Sequence, residues 1–270
     1  MKRKEKKIVY YVDPLKDDFA GTKIKRRPLP KNYRYYSRNP FWIAGSFLLY
    51  YVVALPLIFL FLKLFRRVKV IGKKNLRRVR REGYFVYGNH TQIIDALTAQ
   101  VFASRGKRTY IVADQDATSI PGIRWLLKML GVLPVPLNPN EAANFKEAVE
   151  YHIKKKHVVS LFPEAHIWPY STHIRPFEDA SFVYPSETGA PIIAMVMTYR
   201  KRKRLKNHPP LPVLHLSRPF YPDMNLSLPD RKKKLRNQIY EHFLDIVSED
   251  DNVEWIAYKK KEQEESLGSL

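Results

Sequence analysis

A short apolar run leads directly into a polar turn at residues 84–95, which read Tyr84-Phe85-Val86-Tyr87-Gly88-Asn89-His90-Thr91-Gln92-Ile93-Ile94-Asp95. The apolar part predicts a buried strand, and the residues that follow predict a helix. His90 then lies in the turn, and Asp95 lies in the first helical turn, where the helix dipole favours a negative charge. An imidazole beside a carboxylate is suited to base chemistry near neutral pH. The alternative is a loop histidine and a helix-terminal aspartate with no joint role.

Strand and helix signatures alternate on both sides of this turn, from about Val68 to Glu249. The alternation predicts an α/β fold with a mostly parallel sheet flanked by helices. Ligands of such sheets bind beyond the carboxyl ends of the strands, where His90 falls. The predicted strands are 84–88, 109–113, 131–135, 158–162, 192–199 and 212–216, and the predicted helices are 93–103, 123–130, 141–155, 177–187 and 229–247.

A second buried-strand signature, Val158-Val159-Ser160-Leu161-Phe162-Pro163-Glu164, also ends on a carboxylate. Glu164 is expected at the same edge of the sheet as His90. Two interpretations stay open for it: a substrate contact, or a structural ion pair with a neighbouring Lys or Arg. The zinc signature H-E-x-x-H is absent, and so are the G-x-S-x-G elbow, the P-loop and G-x-G-x-x-G. No metal site is therefore predicted.

The composition indicates one large domain with an anionic partner. A chain of 270 residues with 45% hydrophobic residues can bury one full core. No cysteine is present, which excludes a disulfide framework, a thiolate metal site and a thiol nucleophile. The formal net charge of +22 favours an anion such as nucleic acid, a lipid surface or a polyanionic cofactor. Zinc-finger spacing and an RNP-like aromatic block are missing from the sequence, so no nucleic-acid partner is predicted.

A lipid partner is favoured by residues 41–62, FWIAGSFLLYYVVALPLIFLFL, an uncharged apolar stretch long enough to span a bilayer. Aromatic residues crowd its entry, as at a membrane interface. Basic residues flank both ends, so charge does not fix an orientation, and Pro56 interrupts the run. Three interpretations stay open: a single spanning helix, a kinked helix that enters one leaflet and returns, or a buried helix of a soluble protein.

The two strand-end motifs resemble those of the glycerolipid acyltransferases, the 1-acylglycerol-3-phosphate acyltransferases and their relatives. That family has N-H-x-x-x-x-D after its first core strand, as in Asn89 to Asp95, and F-P-E-G-T-R-S after a later one, where this chain has Phe162-Pro163-Glu164-Ala165-His166. Three further blocks agree in order and spacing, so the resemblance covers about 68–216, over half of the chain. They are Val70-Ile71-Gly72-Lys73-Lys74-Asn75-Leu76, then Ile120-Pro121-Gly122-Ile123-Arg124 with Gly131-Val132-Leu133-Pro134-Val135, and finally Gly189-Ala190-Pro191-Ile192-Ile193-Ala194.

The chain departs from the family pattern directly after Glu164, where Ala165-His166-Ile167-Trp168 replaces Gly-Thr-Arg-Ser. In the family, the missing arginine is associated with the acceptor's phosphate, and a guanidinium fork suits phosphate well. Arg175 is the nearest replacement in sequence. The other substrate-binding candidates are Arg124, Lys128 and His166. The departure leaves the acyl-transfer residues in place but leaves the identity of the acceptor open.

The resemblance implies a membrane-bound O-acyltransferase of the glycerol-3-phosphate or 1-acylglycerol-3-phosphate type, active in phospholipid synthesis. Its donor would be acyl-CoA or acyl carrier protein, used as a substrate with no bound cofactor, and its acceptor a lysophosphatidic-acid-like lipid. His90 would remove the acceptor's hydroxyl proton, Asp95 would orient His90, and Glu164 would hold acceptor hydroxyls. The hydroxyl would attack the thioester directly, since no Cys or triad Ser is offered. Backbone N–H groups after His90 are candidates for the oxyanion donors.

The predicted organisation is a basic, loosely structured segment at 1–40, a spanning or dipping helix at 41–65, an acyltransferase domain at 66–250 and a tail at 251–270, frayed from Lys259. The protein is expected at the membrane, bound to anionic lipids, with its catalytic domain on the cytoplasmic side. Three alternatives remain: an acyltransferase for another lyso-lipid or glycolipid, a metal-dependent membrane hydrolase built on His90, Asp95, Glu164 and His166, and a non-enzymatic membrane-binding protein on the same fold.

Overall fold

A computed structural model describes residues 7–21, 24, 27–30, 33–120, 122–204, 207–249 and 251–261. Within these ranges the strands, numbered in chain order, are β1 Lys7–Tyr11, β2 Lys69–Ile71, β3 Tyr84–Gly88, β4 Thr109–Ala113, β5 Val132–Pro134, β6 Val158–Leu161, β7 Ile192–Arg200, β8 Leu211–Phe220 and β9 Ile256–Lys260. The main helices are Pro40–Phe65, Asp95–Thr98 continued by Ala99–Ala103, Arg124–Met129, Pro139–Lys154, Val183–Thr188 and Leu228–Glu249.

Seven of the strands form one sheet, in the order β2-β8-β7-β3-β6-β4-β5. Every neighbouring pair is parallel except β7 and β8, which are antiparallel. The predicted α/β fold with a mostly parallel sheet is therefore confirmed. Because β3 and β6 are adjacent and parallel, with Tyr84 opposite Val158, their carboxyl ends meet at one edge of the sheet. The residues that follow these two strands are thereby brought together.

The central strand β3 contributes to two cores because successive side chains of a strand point to opposite faces. Phe85 and Tyr87 pack into the core under the helices of one face. Tyr84 and Val86 pack into the core on the other face. All four side chains are fully buried, as expected for a parallel strand that is covered on both sides. This burial fixes the position of the turn that follows the strand.

The helix Pro40–Phe65, called the apolar helix below, lies along the surface of the domain. Near its start, Ser46 Oγ donates to the Met129 carbonyl oxygen at 2.7 Å. In its middle, Tyr50 Oη accepts from the Thr109 amide at 3.2 Å, and near its end the side chain of Leu62 is fully buried. The helix therefore has one face in contact with the domain along most of its length.

The opposite face of the apolar helix remains exposed. Only 11% of its most apolar 18-residue window is buried, and in length and composition it is able to cross a membrane. This exposure does not fit the third interpretation given from sequence, a buried helix of a soluble protein. The exposed large apolar side chains of this helix are Phe41, Ile43, Phe47, Leu48, Val52, Val53, Leu57, Phe59, Leu60, Phe61, Leu64 and Phe65.

The prediction of a loosely structured N-terminal segment is wrong for residues 7–11, because these residues form β1, which pairs in parallel with β9. Lys259 and Lys260, expected in a frayed tail, belong to β9, whereas residues 1–6 and 262–270 lie outside the described residues. The pairing joins the two ends of the chain, and no local pattern reveals such a contact. The predicted helix 93–103 also begins two residues later, at Asp95.

Candidate active site

The catalytic turn, residues 89–95, is attached to the sheet through the side chain of Asn89. Its Nδ2 donates to the Met197 carbonyl oxygen at 3.0 Å, and its Oδ1 accepts from the Met197 amide at 2.7 Å. The side-chain amide thus continues the pattern of strand pairing one residue beyond β3. Sequence analysis gave Asn89 no role of its own; its place before His90 in the motif is the only local signal.

The structure brings His90 and Asp95 together, with 3.4 Å between His90 Nδ1 and Asp95 Oδ2. Asp95 is 1% exposed, and the same oxygen accepts from the amides of Thr91 at 2.6 Å and Gln92 at 2.7 Å. These two amides, expected as oxyanion donors, therefore hold the carboxylate. The tautomer with hydrogen on Nδ1 donates to Asp95 and leaves Nε2 free to accept a proton. The imidazole stacks on the Phe162 ring with centroids 4.2 Å apart, which limits its rotation.

Glu164 lies beside the catalytic turn and is bound to protein on both of its oxygens. Oε2 accepts from the backbone amide of His90 at 3.0 Å and from Arg175 Nη2 at 3.0 Å. Oε1 accepts from the Arg175 amide at 2.9 Å. Since both side chains of the pair are below 5% exposed, the structural ion pair considered from sequence is present. A contact between Glu164 and the substrate stays a prediction.

Arg175 therefore lies next to the catalytic turn, but within a buried ion pair. Its Nη2 also donates to the backbone carbonyl of His166, and its guanidinium lies 5.0 Å from the centre of the Trp168 ring. Its Nε and Nη1 are buried and have no hydrogen-bond partner in the part of the chain that the structure describes. A contact between Arg175 and a phosphate stays a prediction.

The loop after Glu164 packs directly against the catalytic turn. Trp168 donates its amide to the His90 carbonyl oxygen at 3.1 Å, and Tyr170 donates to that of Thr91 at 3.1 Å. Ala165 and Tyr170 both adopt positive φ, 62° and 59°, a strained conformation that marks functional loops. The Trp168 ring packs against the N- and C-terminal segments, on Tyr11, Phe19 and Tyr258. The unexpected β1–β9 pair thus supports the active-site loop.

A hydrogen-bonded chain joins the end of the apolar helix to the catalytic turn. Arg66 donates to Gln92 Oε1, and Gln92 Nε2 donates to Tyr199 Oη at 2.8 Å. The Tyr199 hydroxyl donates in turn to Thr91 Oγ1 at 2.7 Å. Burial raises the pKa of Tyr199 well above its ordinary value, and the nearby Asp95 carboxylate raises it further. The phenol therefore stays protonated and acts as a structural donor.

Among the described residues, no hydrogen bond joins the side chains of the other candidates, Arg124, Lys128 and His166, to His90, Asp95 or Glu164. Arg124 donates through Nε to the Thr118 carbonyl oxygen at 2.9 Å. Lys128 Nζ lies over the rings of Tyr33 and Trp42 and lines a cavity at the amino ends of β4 and β6. His166 contributes its backbone amide to a bond with the Glu164 carbonyl oxygen. Among the described residues, no three His, Asp or Glu side chains cluster in a way suited to a metal ion.

Comparison with known proteins agrees with this geometry. Residues 67–198 match the family model described as Acyltransferase, a range that contains both strand-end motifs. The solved structure of the 1-acyl-sn-glycerophosphate (LPA) acyltransferase PlsC from Thermotoga maritima is similar in fold, with a TM-score of 0.53 at 18% sequence identity, over 76% of this chain and 88% of that one. No curated protein matched the sequence significantly. Residues 67–198 are therefore similar to the Acyltransferase family, and the domain shares its fold with that LPA acyltransferase.

Proposed function

We propose that this acyltransferase moves a fatty acyl group from an acyl thioester to the hydroxyl of a lysophosphatidic-acid-like acceptor at a membrane surface. The observation that carries the proposal is the contact of His90 Nδ1 with a buried Asp95 carboxylate at 3.4 Å. Asp95 is held by two backbone amides, so its orientation is fixed before substrate arrives. Such a pair is arranged to use His90 as a general base.

The reaction is a direct transfer. The acceptor hydroxyl gives its proton to His90 Nε2 while its oxygen attacks the thioester carbonyl carbon. The C–O bond forms and the C–S bond then breaks, and the departing thiolate takes the proton from His90. Asp95 stabilises the imidazolium that exists between these steps. Glu164 acts as a positioning residue, because it holds the backbone of His90 and the loop of Arg175 in one place.

The acceptor's phosphate is assigned to Arg175, the buried cation beside the catalytic turn, whose Nη1 has no hydrogen-bond partner among the described residues. The guanidinium is already oriented by Glu164 at 3.0 Å, so little conformational entropy is lost when a phosphate binds. An acceptor without phosphate at this position, such as a glycolipid, would leave Nη1 without an anionic partner. The lysophosphatidic-type acceptor therefore fits the site better than the neutral alternative.

The apolar helix supplies the membrane contact. Its contacts with the domain run from Ser46 to Arg66, about 30 Å at 1.5 Å per residue. A helix packed along this length against the domain would lose those contacts if it crossed the bilayer alone. We therefore favour insertion into one leaflet, with the exposed apolar face in the lipid. Basic residues at both ends of the helix favour the cytoplasmic side for the catalytic domain.

The test is incubation of the purified full chain with acyl-CoA or acyl carrier protein as donor and a panel of acceptors: lysophosphatidic acid, glycerol 3-phosphate, lysophosphatidylcholine and a lyso-glycolipid. Products are read by mass spectrometry. We expect acylated lysophosphatidic acid as the main product, in amounts that depend on His90. Release of free fatty acid without any acylated acceptor would instead establish a hydrolase. His208→Ala, which removes an exposed histidine, is the matched control.

A further inference from the structure

A cavity lies at the end of the sheet opposite the active site. Arg108 precedes β4 and His157 precedes β6, so both line it from the amino ends of these strands. The first turns of the apolar helix close its other side. It encloses about 340 Å³, within the usual range of small-molecule sites. His90 and Glu164 follow the carboxyl ends of β3 and β6, so the cavity is separate from the catalytic group.

The charge of this cavity is positive and lacks a counter-ion. Arg108 and Lys128 line it, and none of its lining residues is Asp or Glu. Arg108 donates to Ser46 Oγ at 2.9 Å and to backbone carbonyls. These acceptors are neutral, so the positive charge of Arg108 is not balanced by them. Lys128 contacts aromatic rings, and within the described ranges neither cation forms a salt bridge with a carboxylate. Burial lowers the pKa of Lys128, and the nearby Arg34 lowers it further; a bound anion would counteract both effects by stabilising the ammonium form.

Two further lining residues have buried polar atoms without a partner. His152 is 1% exposed and Tyr35 is 5% exposed, and neither His152 Nε2 nor the Tyr35 hydroxyl has a hydrogen-bond partner in the described part of the chain. His152 Nδ1 faces His157 Nδ1 at 3.3 Å. When His157 donates in that contact, His152 carries its own hydrogen on Nε2. An orphaned buried donor costs roughly 1–3 kcal/mol, and an oxygen-rich ligand would remove that cost.

The position of the cavity indicates an amphipathic ligand. Trp42, Ile43 and Phe47 line it and belong to the apolar helix, whose outward face exposes Phe41 and Leu48 next to the same turns. Hydrocarbon that leaves the cavity therefore meets a continuous apolar surface. Trp and Tyr side chains around its walls are typical of the level at which phospholipid headgroups lie.

We propose that this cavity binds the phosphate headgroup of a membrane phospholipid, with Lys128 as its main charged contact and the acyl chains along the exposed face of the apolar helix. The bound lipid is neither donor nor acceptor of the acyl transfer, because it lies at the opposite end of the sheet from His90. Its effect is to fix the apolar helix against the domain at one depth in the membrane.

Binding is measured with the purified full chain in dodecyl maltoside, a detergent without phosphate. Phosphatidylglycerol is titrated and the 1:1 complex is quantified by native mass spectrometry. Lys128→Ala should raise the Kd about 10- to 150-fold, because a charge-assisted hydrogen bond contributes roughly 1.5–3 kcal/mol. Lys128→Arg, which keeps the charge, should bind nearly as the natural chain does. If Lys128→Ala is poorly folded by circular dichroism, Lys128→Met provides the same test with a similar apolar volume.

Three controls decide the outcome. Lys69→Ala removes an equal charge from exposed strand β2 and should leave the Kd unchanged. His90→Ala should also leave it unchanged; a loss of binding there would place the lipid in the active site and overturn the proposal. Inorganic phosphate should compete only weakly, whereas displacement of the lipid by millimolar phosphate would make the site one for a soluble anion. Equal binding by Lys128→Ala and the natural chain would also overturn it.

Discussion

At the carboxyl ends of β3 and β6 the buried charges are paired with each other, whereas at the amino ends of β4 and β6 the cations face aromatic rings and backbone carbonyls. Glu164 is held by Arg175 at 3.0 Å and Asp95 by two amides. At the other end, Lys128 Nζ lies over two aromatic rings and has no carboxylate partner within the described ranges. In the first arrangement the charge of Arg175 is balanced by Glu164 without a ligand, and a base is held in place. The second is incomplete, and the positive charge left over is available to an external anion.

The largest expected effect is a loss of activity on mutation of residues at the carboxyl ends of β3 and β6. His90→Ala should lower kcat by about 10²–10⁴-fold, since this is the usual contribution of a general base, with the fold intact. Asp95→Asn should also lower kcat severely, because the charge that orients and stabilises the imidazolium is lost. Initial rates with a saturating thioester donor measure both. Full activity in His90→Ala would show that the carboxyl end of the sheet does not perform the chemistry.

Glu164→Gln tests whether the buried pair stabilises the fold. The variant leaves the guanidinium of Arg175 buried without its counter-charge, so the free energy of unfolding should fall by about 3–5 kcal/mol. Denaturant unfolding in detergent gives the value. The matched control is Glu187→Gln, which breaks the partly exposed Lys146–Glu187 pair and should cost less than about 1 kcal/mol. If both variants lose the same free energy of unfolding, the buried Glu164–Arg175 pair stabilises the fold no more than a partly exposed ion pair does.

Arg175→Lys separates the charge of Arg175 from its shape. Lysine can still balance the negative charge of Glu164, but its ammonium group cannot offer two coplanar N–H donors to a phosphate as a guanidinium does. The KM for lysophosphatidic acid should rise about 10-fold, in line with one charge-assisted hydrogen bond of at least roughly 1.5 kcal/mol, while the KM for the acyl donor stays the same. Steady-state kinetics with each substrate varied in turn make the measurement. An unchanged acceptor KM would remove Arg175 from the phosphate site.

The last prediction concerns pH and the opposite end of the sheet, where the effect per pH unit is about as large as that of Arg175→Lys. Burial lowers the pKa of His152 to about 3, with further lowering by His157 and Arg108. The unfolded chain therefore takes up the proton first, near the ordinary pKa of 6.5, and stability falls as the pH drops from about 6.5 towards 3. His152→Asn should make this fall shallower, by up to about 1.4 kcal/mol per pH unit. Unfolding between pH 7 and 4.5 measures it, with His208→Asn as control. Parallel stability curves would contradict a buried neutral His152.

Local patterns predicted the elements that carry the motifs. Strands β3 and β4 have the predicted bounds, because each is a short apolar run with turn residues beside it. That His90 and Glu164 lie at one edge of the sheet followed from the rule that parallel sheets bind ligands at the carboxyl ends of their strands, whereas the pairing of β3 with β6 came only from the structure. The first turn of the helix was predicted two residues too early, since the carboxylate of Asp95 binds the amides of Thr91 and Gln92 before the helix begins.

The sequence by itself determined the α/β fold, the apolar helix and the presence of His90 and Asp95 in one turn, because each depends on residues close together in the chain. Only the tertiary structure decided the rest. The ion pair of Glu164 with Arg175, the support of Trp168 by the terminal strands and the position of Lys128 away from His90 all depend on contacts between distant segments. The physical reason is that hydrophobic periodicity specifies local conformation, whereas the partner of a buried charge is set by which segments the packed sheet brings together.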